Sequence, residues 1–292
     1  MRIITFDVEE WFIEKVFRDN SAARYRVFDH FLGIVLDALA AHNTKATFFC
    51  VGRMAVDFPD VVRRIDASGH EIGCHSNMHR WLNKMTSDEV LVDTRAAVDS
   101  LEQLIGKKVK SYRAPAFSIG SENKWAFEIL AKCGIERDAS VFPAVRDFGG
   151  FAEFGQKEPV ILKCGDYSLK EFPICTAKIM GKDFAYSGGG YFRFFPYWFI
   201  KREMFKHNYA MSYFHIADLL PESGKMMSRE AYETYFKEPG TLTNRCKRYI
   251  KSNLGKKNAW KKLEKLIVGS DYVNLEQADS MINWIQAKEI SL

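Results

Sequence analysis

Glu71-Ile72-Gly73-Cys74-His75-Ser76-Asn77-Met78-His79 is the stretch on which the reading of this chain turns. Four residues suited to a short buried strand deliver one histidine, and a second follows four positions later. That spacing predicts two imidazoles on one face of a helical turn. Two neutral rings so placed can share a divalent metal and leave room for a carboxylate and water. The chain has seven histidines, and no other pair stands four apart. The motif alone also describes two ordinary surface or capping histidines, so its company decides. Upstream, an apolar run ends in Asp7-Val8-Glu9-Glu10; downstream stand Arg113-Ala114-Pro115 and Tyr213-Phe214-His215, each beside an inferred strand.

Working outward, the chain alternates strand and helix. Ile3 to Phe6 is an apolar run of the kind buried on both faces of a parallel sheet, and Asp7 abuts it. Residues 25–42 carry Val27, Phe31, Val35 and Leu39 on one helical stripe, with His30 and His42 at the surface. Ala46 to Val51 is a second strand, ended by Gly52. Pro59 opens a helix through Ala67, and Gly69 stops it. A long helix runs to Ile105 with Ser87 as its N-cap, and Ser121 to Cys133 is another. Residues 144–190 are less regular, with strands near Val160–Leu162 and Leu169–Ile174. Gly188-Gly189-Gly190-Tyr191-Phe192-Arg193 permits close backbone approach and reads either as a sugar site or as a packed aromatic turn. Ala210 to His215 is a strand that ends in another histidine. The rhythm predicts an α/β barrel with chemistry at the C-terminal strand ends.

The totals agree. At 292 residues, 47% hydrophobic and 27% charged, this is an ordinary globular composition. Six scattered cysteines form no C-x-x-C pair, so they are expected as reduced thiols. The first residues show no secretory pattern and no window approaches a membrane span, from which a cytoplasmic location is expected. A net charge of +5 suits phosphate-bearing partners but is too small to argue for nucleic acid. Residues 241–268 are rich in lysine and read as a solvated helix packed on the barrel, with peripheral association with an anionic membrane surface or a face toward a phosphate-bearing substrate as the alternatives.

Amide hydrolysis without a covalent intermediate needs a metal, a base, oxyanion donors and an acid. The strand-end residues supply each. No G-x-S-x-G, GxxxxGK[ST] or GxGxxG motif stands in a supporting context.

At this point the sequence resembles the polysaccharide deacetylases of the NodB-homology type, carbohydrate esterase family 4, over roughly residues 1–220. Thr5-Phe6-Asp7-Val8-Glu9 resembles the first motif, usually T-F-D-D; here the pattern is D-x-E. His75-Ser76-x-x-His79 matches the second in full, preceded by Ser68-Gly69-His70-Glu71-Ile72-Gly73. Arg113-Ala114-Pro115-Ala116-Phe117 is similar to the third, Asp138-Ala139-Ser140 to the fourth, and Tyr213-Phe214-His215 to the fifth. The glycine-rich stretch resembles a subgroup associated with exopolysaccharide and surface-glycan loci.

The resemblance implies a distorted (β/α)7-type, incomplete TIM-like barrel over residues 1–225, with 226–292 as a basic helical extension packed on the same domain. It implies one divalent metal, zinc by default with cobalt, nickel or iron accepted, held by Glu9, His75 and His79, with Glu10 in reserve. Asp7 would be the base, Arg113 would orient it, Asp138 would sit beside the catalytic histidine, and His215 would be the acid. Backbone amides near Phe117 would hold the oxyanion, and Tyr191 and Arg193 would meet the sugar. The implied substrate is an N-acetylated hexosamine, free or nucleotide- or lipid-linked. A deformylase of a lipid-linked formamido sugar, a metal-free cyclic-amide hydrolase and a non-catalytic glycan binder are the alternatives.

Overall fold

The computed structural model describes residues 1–146, 148–222 and 224–292. Its strands are β1 (Arg2–Val8), β2 (Thr47–Cys50), β3 (Glu71–Cys74), β4 (Ser111–Tyr112), β5 (Arg137–Asp138), β6 (Val160–Cys164), β7 (Tyr167–Glu171), β8 (Thr176–Ile179), β9 (Lys182–Ala185), β10 (Ala210–His215), β11 (Tyr272–Val273) and β12 (Glu289–Ser291). Seven run parallel in the order β10-β1-β2-β3-β4-β5-β7. Antiparallel β6 extends this sheet beyond β7, and β12 lies parallel to β6. Among the described residues no ladder joins β10 to the far edge. This is the α/β architecture that the alternating rhythm predicts, with the unclosed seven-strand parallel core that the resemblance implies.

The apolar runs explain the centre. Ile3, Ile4, Phe6 and Val8 of β1 are fully buried, as are Phe48, Phe49 and Cys50 of β2. Phe6 stacks on Phe48 with ring centroids 4.8 Å apart. Each such side chain contributes roughly 1.5–3 kcal/mol by leaving water, so the sheet that carries the site rests on a deep core. Asp7 and His215 are register partners across the parallel β1–β10 pair. Arg113 follows β4, Asp138 ends β5 and Glu171 ends β7. The chemistry-bearing side chains therefore gather at one end of one sheet.

Three expectations are corrected here. Residues 75–79 form a loop instead of a helical turn, with Ser76 and His79 at φ +63° and +53°. Thr86, not Ser87, caps the helix Ser87–Ile105; its hydroxyl accepts from the Glu89 N–H, and the Glu89 carboxylate accepts from the Thr86 N–H. Finally, the residues beyond 226, expected as a helical extension packed on the same domain, contribute strands as well: β11 pairs with β1 and β12 with β6. The lysine-rich stretch divides at Gly255, φ +76°, into helices Leu242–Asn253 and Ala259–Val268. The first buries none of its residues, and the second buries Ala259, Leu263, Leu266 and Ile267.

Candidate active site

Why do two histidines on an irregular loop point the same way? The loop is fastened on both sides. Gly52 N–H donates to the Ser76 carbonyl at 2.8 Å and Arg53 N–H to the Asn77 carbonyl at 3.2 Å. Asn77 N–H donates to the Asp93 carboxylate at 2.7 Å. Gly52 is required here, because a Cβ would fall 2.5 Å from Ala97 Cα. Left-handed backbone at Ser76 and His79 costs energy that these bonds offset.

The imidazoles converge on Glu9. Their ligand atoms and a Glu9 oxygen all lie within 4.8 Å of one another. His75 Nδ1 is 2.7 Å from the Arg113 carbonyl, which assigns the proton to that nitrogen and leaves the Nε2 lone pair facing Glu9. His79 Nδ1 is 3.4 Å from the Tyr235 hydroxyl, and its ring lies nearly parallel to the Tyr235 ring. Its Nε2 is buried, makes no hydrogen bond and abuts the Glu9 carboxylate. Lone pairs facing a carboxylate are an arrangement that a cation satisfies. Burial works against the charge on Glu9, but the neighbouring His79 and His215 hold its carboxyl well below the usual range. Two imidazoles and one carboxylate therefore fit a divalent metal ion.

Glu10, the reserve ligand, serves another purpose. Its carboxylate accepts from Ala217 N–H at 2.6 Å and Glu9 N–H at 3.3 Å, tying the end of β1 to the turn after β10. Burial pushes its carboxyl up to about 7.

Asp7 is buried, with Oδ1 2.8 Å from Arg113 Nη1. The same nitrogen donates to Thr5 Oγ1 at 2.8 Å, and Arg113 Nε donates to the Ala139 carbonyl at 3.2 Å. The guanidinium also lies over the Phe49 ring, 4.3 Å from its centroid. Arg113 is thus locked, and it orients one Asp7 oxygen.

His215 takes its carboxylate partner from an unexpected place. Its Nδ1 lies 2.9 Å from Asp218 Oδ2, not beside Asp138. Burial would push the imidazole down, yet Glu9, Asp218 and Asp7 outweigh it and hold His215 well above its ordinary value. Asp218 is in turn ion-paired with Arg193, whose other amino group donates to the Lys251 carbonyl at 2.8 Å. Arg193, expected to meet sugar, is largely buried, lines the cavity and positions Asp218. Lys262 Nζ donates to the carbonyls of Phe192, Arg193 and Phe195 at 2.8–2.9 Å, closing the helix Gly189–Phe194 that carries Arg193.

Asp138 accepts from Ser140 N–H at 3.0 Å and Ser140 Oγ at 2.7 Å, and that hydroxyl accepts from Ala114 N–H at 2.8 Å. It braces the Arg113 loop. Glu171 lies against it, and burial followed by the Asp138 charge holds Glu171 well above the carboxylate range, so the pair shares a proton.

Phe117 N–H already donates to the Ala114 carbonyl at 3.0 Å, so that amide is not open to an oxyanion. Ala116 and Phe117 are both left-handed, at φ +55° and +53°. Gly149 packs so closely on their carbonyls that a Cβ would meet both at 2.4 Å. The three-glycine stretch is explained by Tyr213: a Cβ on Gly188 would fall 2.1 Å from the Tyr213 carbonyl. Tyr191 is half-buried on the wall of the cavity above the site, a space of about 740 Å3 that includes Asp7, Glu9, His75, His79 and His215. Sequence reasoning missed Asp218, Lys262 and Tyr235. For Asp218 the H-x-x-D spacing was a usable signal; for the others there was none.

Residues 23–137 match the family model described as polysaccharide deacetylase, and residues 139–279 match a domain of unknown function, DUF3473. Over 95 residues the chain is 40% identical to a peptidoglycan-N-acetylglucosamine deacetylase of Bacillus cereus, a region covering 32% of this chain and 34% of that one. It is 34% identical over 99 residues to a chitooligosaccharide deacetylase of Rhizobium leguminosarum bv. trifolii, covering 31% and 46%. The chain thus spans about a third of the length of the first of these relatives and under half of the second. A crystal structure from Mycobacterium smegmatis assigned as a polysaccharide deacetylase superposes with a TM-score of 0.64 at 18% identity, over 100% of this chain and 92% of that one. That likeness concerns the fold. Among the described residues no helix is long and apolar enough to cross a membrane. Residues 23–137 are thus similar to the polysaccharide deacetylase family, and the fold is shared with the Mycobacterium smegmatis structure.

Proposed function

We propose that the protein is a metal-dependent amide hydrolase that removes the N-acetyl group from an N-acetylhexosamine of a surface glycan or of its nucleotide- or lipid-linked precursor. The observation that carries this reading is the convergence of Glu9, His75 and His79 in one cavity with Asp7 and His215. A divalent cation held by Glu9, His75 and His79, zinc by default, would polarise the acyl carbonyl and acidify water. Asp7, fixed by Arg113, takes the proton from the water that attacks the carbonyl carbon. Since Phe117 N–H is engaged, the backbone donor for the developing oxyanion falls to Ala116. As the carbon–nitrogen bond breaks, His215 gives its proton to the departing nitrogen, leaving acetate and a free amine. Asp218, backed by Arg193, holds that imidazole oriented and charged before transfer. Tyr191 offers a wall for the sugar.

The test begins with elemental analysis of purified protein beside a variant carrying His75→Ala and His79→Ala. About one equivalent of divalent metal, lost in the variant, is expected; a protein that takes up no zinc or cobalt on reconstitution would end the reading. Acetate release from N-acetylated sugars, against formate release from N-formyl ones, then fixes the acyl group. Asp7→Asn is expected to lower the rate by about 10²–10⁴-fold with metal content kept. A cytoplasmic location is a separate proposal, and cell fractionation tests it.

A further inference from the structure

Part of the cavity wall comes from the C-terminal region, and it is basic. Arg245, Arg248, Tyr249 and Ser252, spaced at three, four and seven, lie on one face of the helix Leu242–Asn253 and line the cavity. Arg18, just past the helix that follows Glu9, joins them, as does Lys225. Arg18 donates to the Lys225 carbonyl at 2.9 Å, Arg245 donates to the Met227 carbonyl at 3.0 Å, and Arg248 lies over the Phe148 and Phe236 rings at 4.2 and 4.8 Å. Among the described residues none of these three arginines is within ion-pair distance of a carboxylate. The acidic groups on the cavity wall are Asp7, Glu9 and Asp218, and each already faces its own cation or imidazole. The cavity wall therefore carries an excess of fixed positive charge.

An ordinary neutral sugar has no use for this wall, whereas guanidinium forks match phosphate oxygens two at a time. We infer that Arg245 and Arg248, with Arg18 lining the same cavity, form a subsite for a phosphate or diphosphate ester carried by the acylated sugar. Several arginines together fit more than one negative charge, which favours phosphate over a single sugar carboxylate. The neighbouring Tyr249 and Phe148 supply flat apolar surface for whatever follows the phosphate. This inference rests on the deacetylase reading for the sugar but not for the anion.

Calorimetric titration of the metal-loaded protein tests it without turnover. The probes are N-acetylglucosamine 1-phosphate, UDP-N-acetylglucosamine, a prenyl-diphosphate-linked N-acetylglucosamine in neutral detergent micelles, neutral di-N-acetylchitobiose, and an N-acetylhexosamine–hexuronic acid disaccharide. Phosphorylated sugars are expected to bind at least about tenfold more tightly than the neutral one, weakening as salt rises. Arg245→Gln with Arg248→Gln should abolish that preference; Arg245→Lys with Arg248→Lys should keep part of it. Tighter binding of the UDP or of the prenyl probe assigns the source of the phosphate. Equal affinity for neutral and phosphorylated sugars, preference for the carboxylated one, or a phosphate preference that survives the Gln pair overturns the subsite. Acetate release separates the two readings: turnover of neutral and phosphorylated sugars alike removes the subsite and keeps the deacetylase. Phosphate-selective binding with no acetate from any probe does the reverse. If the Gln pair fails to fold, the wild-type affinity ratio alone decides.

Discussion

Lys262 donates to the carbonyl oxygen of Arg193 at 2.8 Å. Through that bond a helix from the lysine-rich end of the chain reaches the proposed catalytic acid, because Arg193 holds Asp218 and Asp218 holds His215. Lys262→Met would leave the carbonyls of Phe192, Arg193 and Phe195 without their common donor. A loss of about 1.5–3 kcal/mol of stability is expected in chemical denaturation. Turnover should fall while metal content stays, since no metal ligand is touched.

Asp218→Asn removes a charge that keeps His215 well above its ordinary value. An acid must be protonated, so activity is present below the pKa of His215 and is lost as pH rises through it. Removing Asp218 lowers that pKa, and the high-pH limb of the rate profile should move toward lower pH. An unmoved limb would mean that His215 is not the acid.

Glu171→Gln preserves shape and the ability to donate to Asp138, and it removes a carboxyl that is already held protonated. The change is expected to cost less than about 1.5 kcal/mol. Asp138→Ala leaves the buried Arg113 loop without its brace and should cost about 3–5 kcal/mol. Thermal unfolding of the two variants side by side checks the order.

His70 offers a test of pH-dependent stability away from the site. Burial pushes its imidazole down to about 4, and its Nδ1 accepts from Ala46 N–H at 3.3 Å. The unfolded chain binds this proton first, near pH 6.5. Stability is therefore full above that value, lost as pH falls toward 4, and level below. The loss is on the order of 3 kcal/mol. Denaturant titrations across this window should show the slope, and His70→Gln should flatten it.

Much of the sheet was legible because its strands are apolar and short. Ile3 to Phe6 and Glu71 to Cys74 carry their burial in their composition. So did the helix Pro59–Ala67, with proline at its start and glycine after its end. The ligand loop was legible in residues but not in shape, since left-handed backbone at Ser76 and His79 is set by Gly52 and Asp93, not by local preference. Asp138 was placed beside the wrong partner because proximity in a barrel depends on strand order: Asp138 aligns with Tyr112 and Glu171, and His215 aligns with Asp7. The two-residue β11 shows no periodicity to read. The C-terminal helices looked like a solvated tail because their long basic side chains reach inward across a cavity that no local pattern reveals.

The central position of β1 also sets the order in which the molecule can be made. Thr5 bonds the Ser212 carbonyl across 207 positions of chain, and β11 docks later still. During synthesis β1 can pair with β2 early, but its other edge stays open until β10 emerges. Such distant pairing slows folding and leaves an apolar strand edge uncovered meanwhile. A growing chain will hold Glu9, His75 and His79 long before it holds His215, so the proposed metal site can form before the proposed acid is in place. The stretch 23–137 is recognisable by family, but it lacks β1 with its Asp7 and also Glu9 just beyond it, and it is not a unit that the ribosome could release early and leave to fold alone.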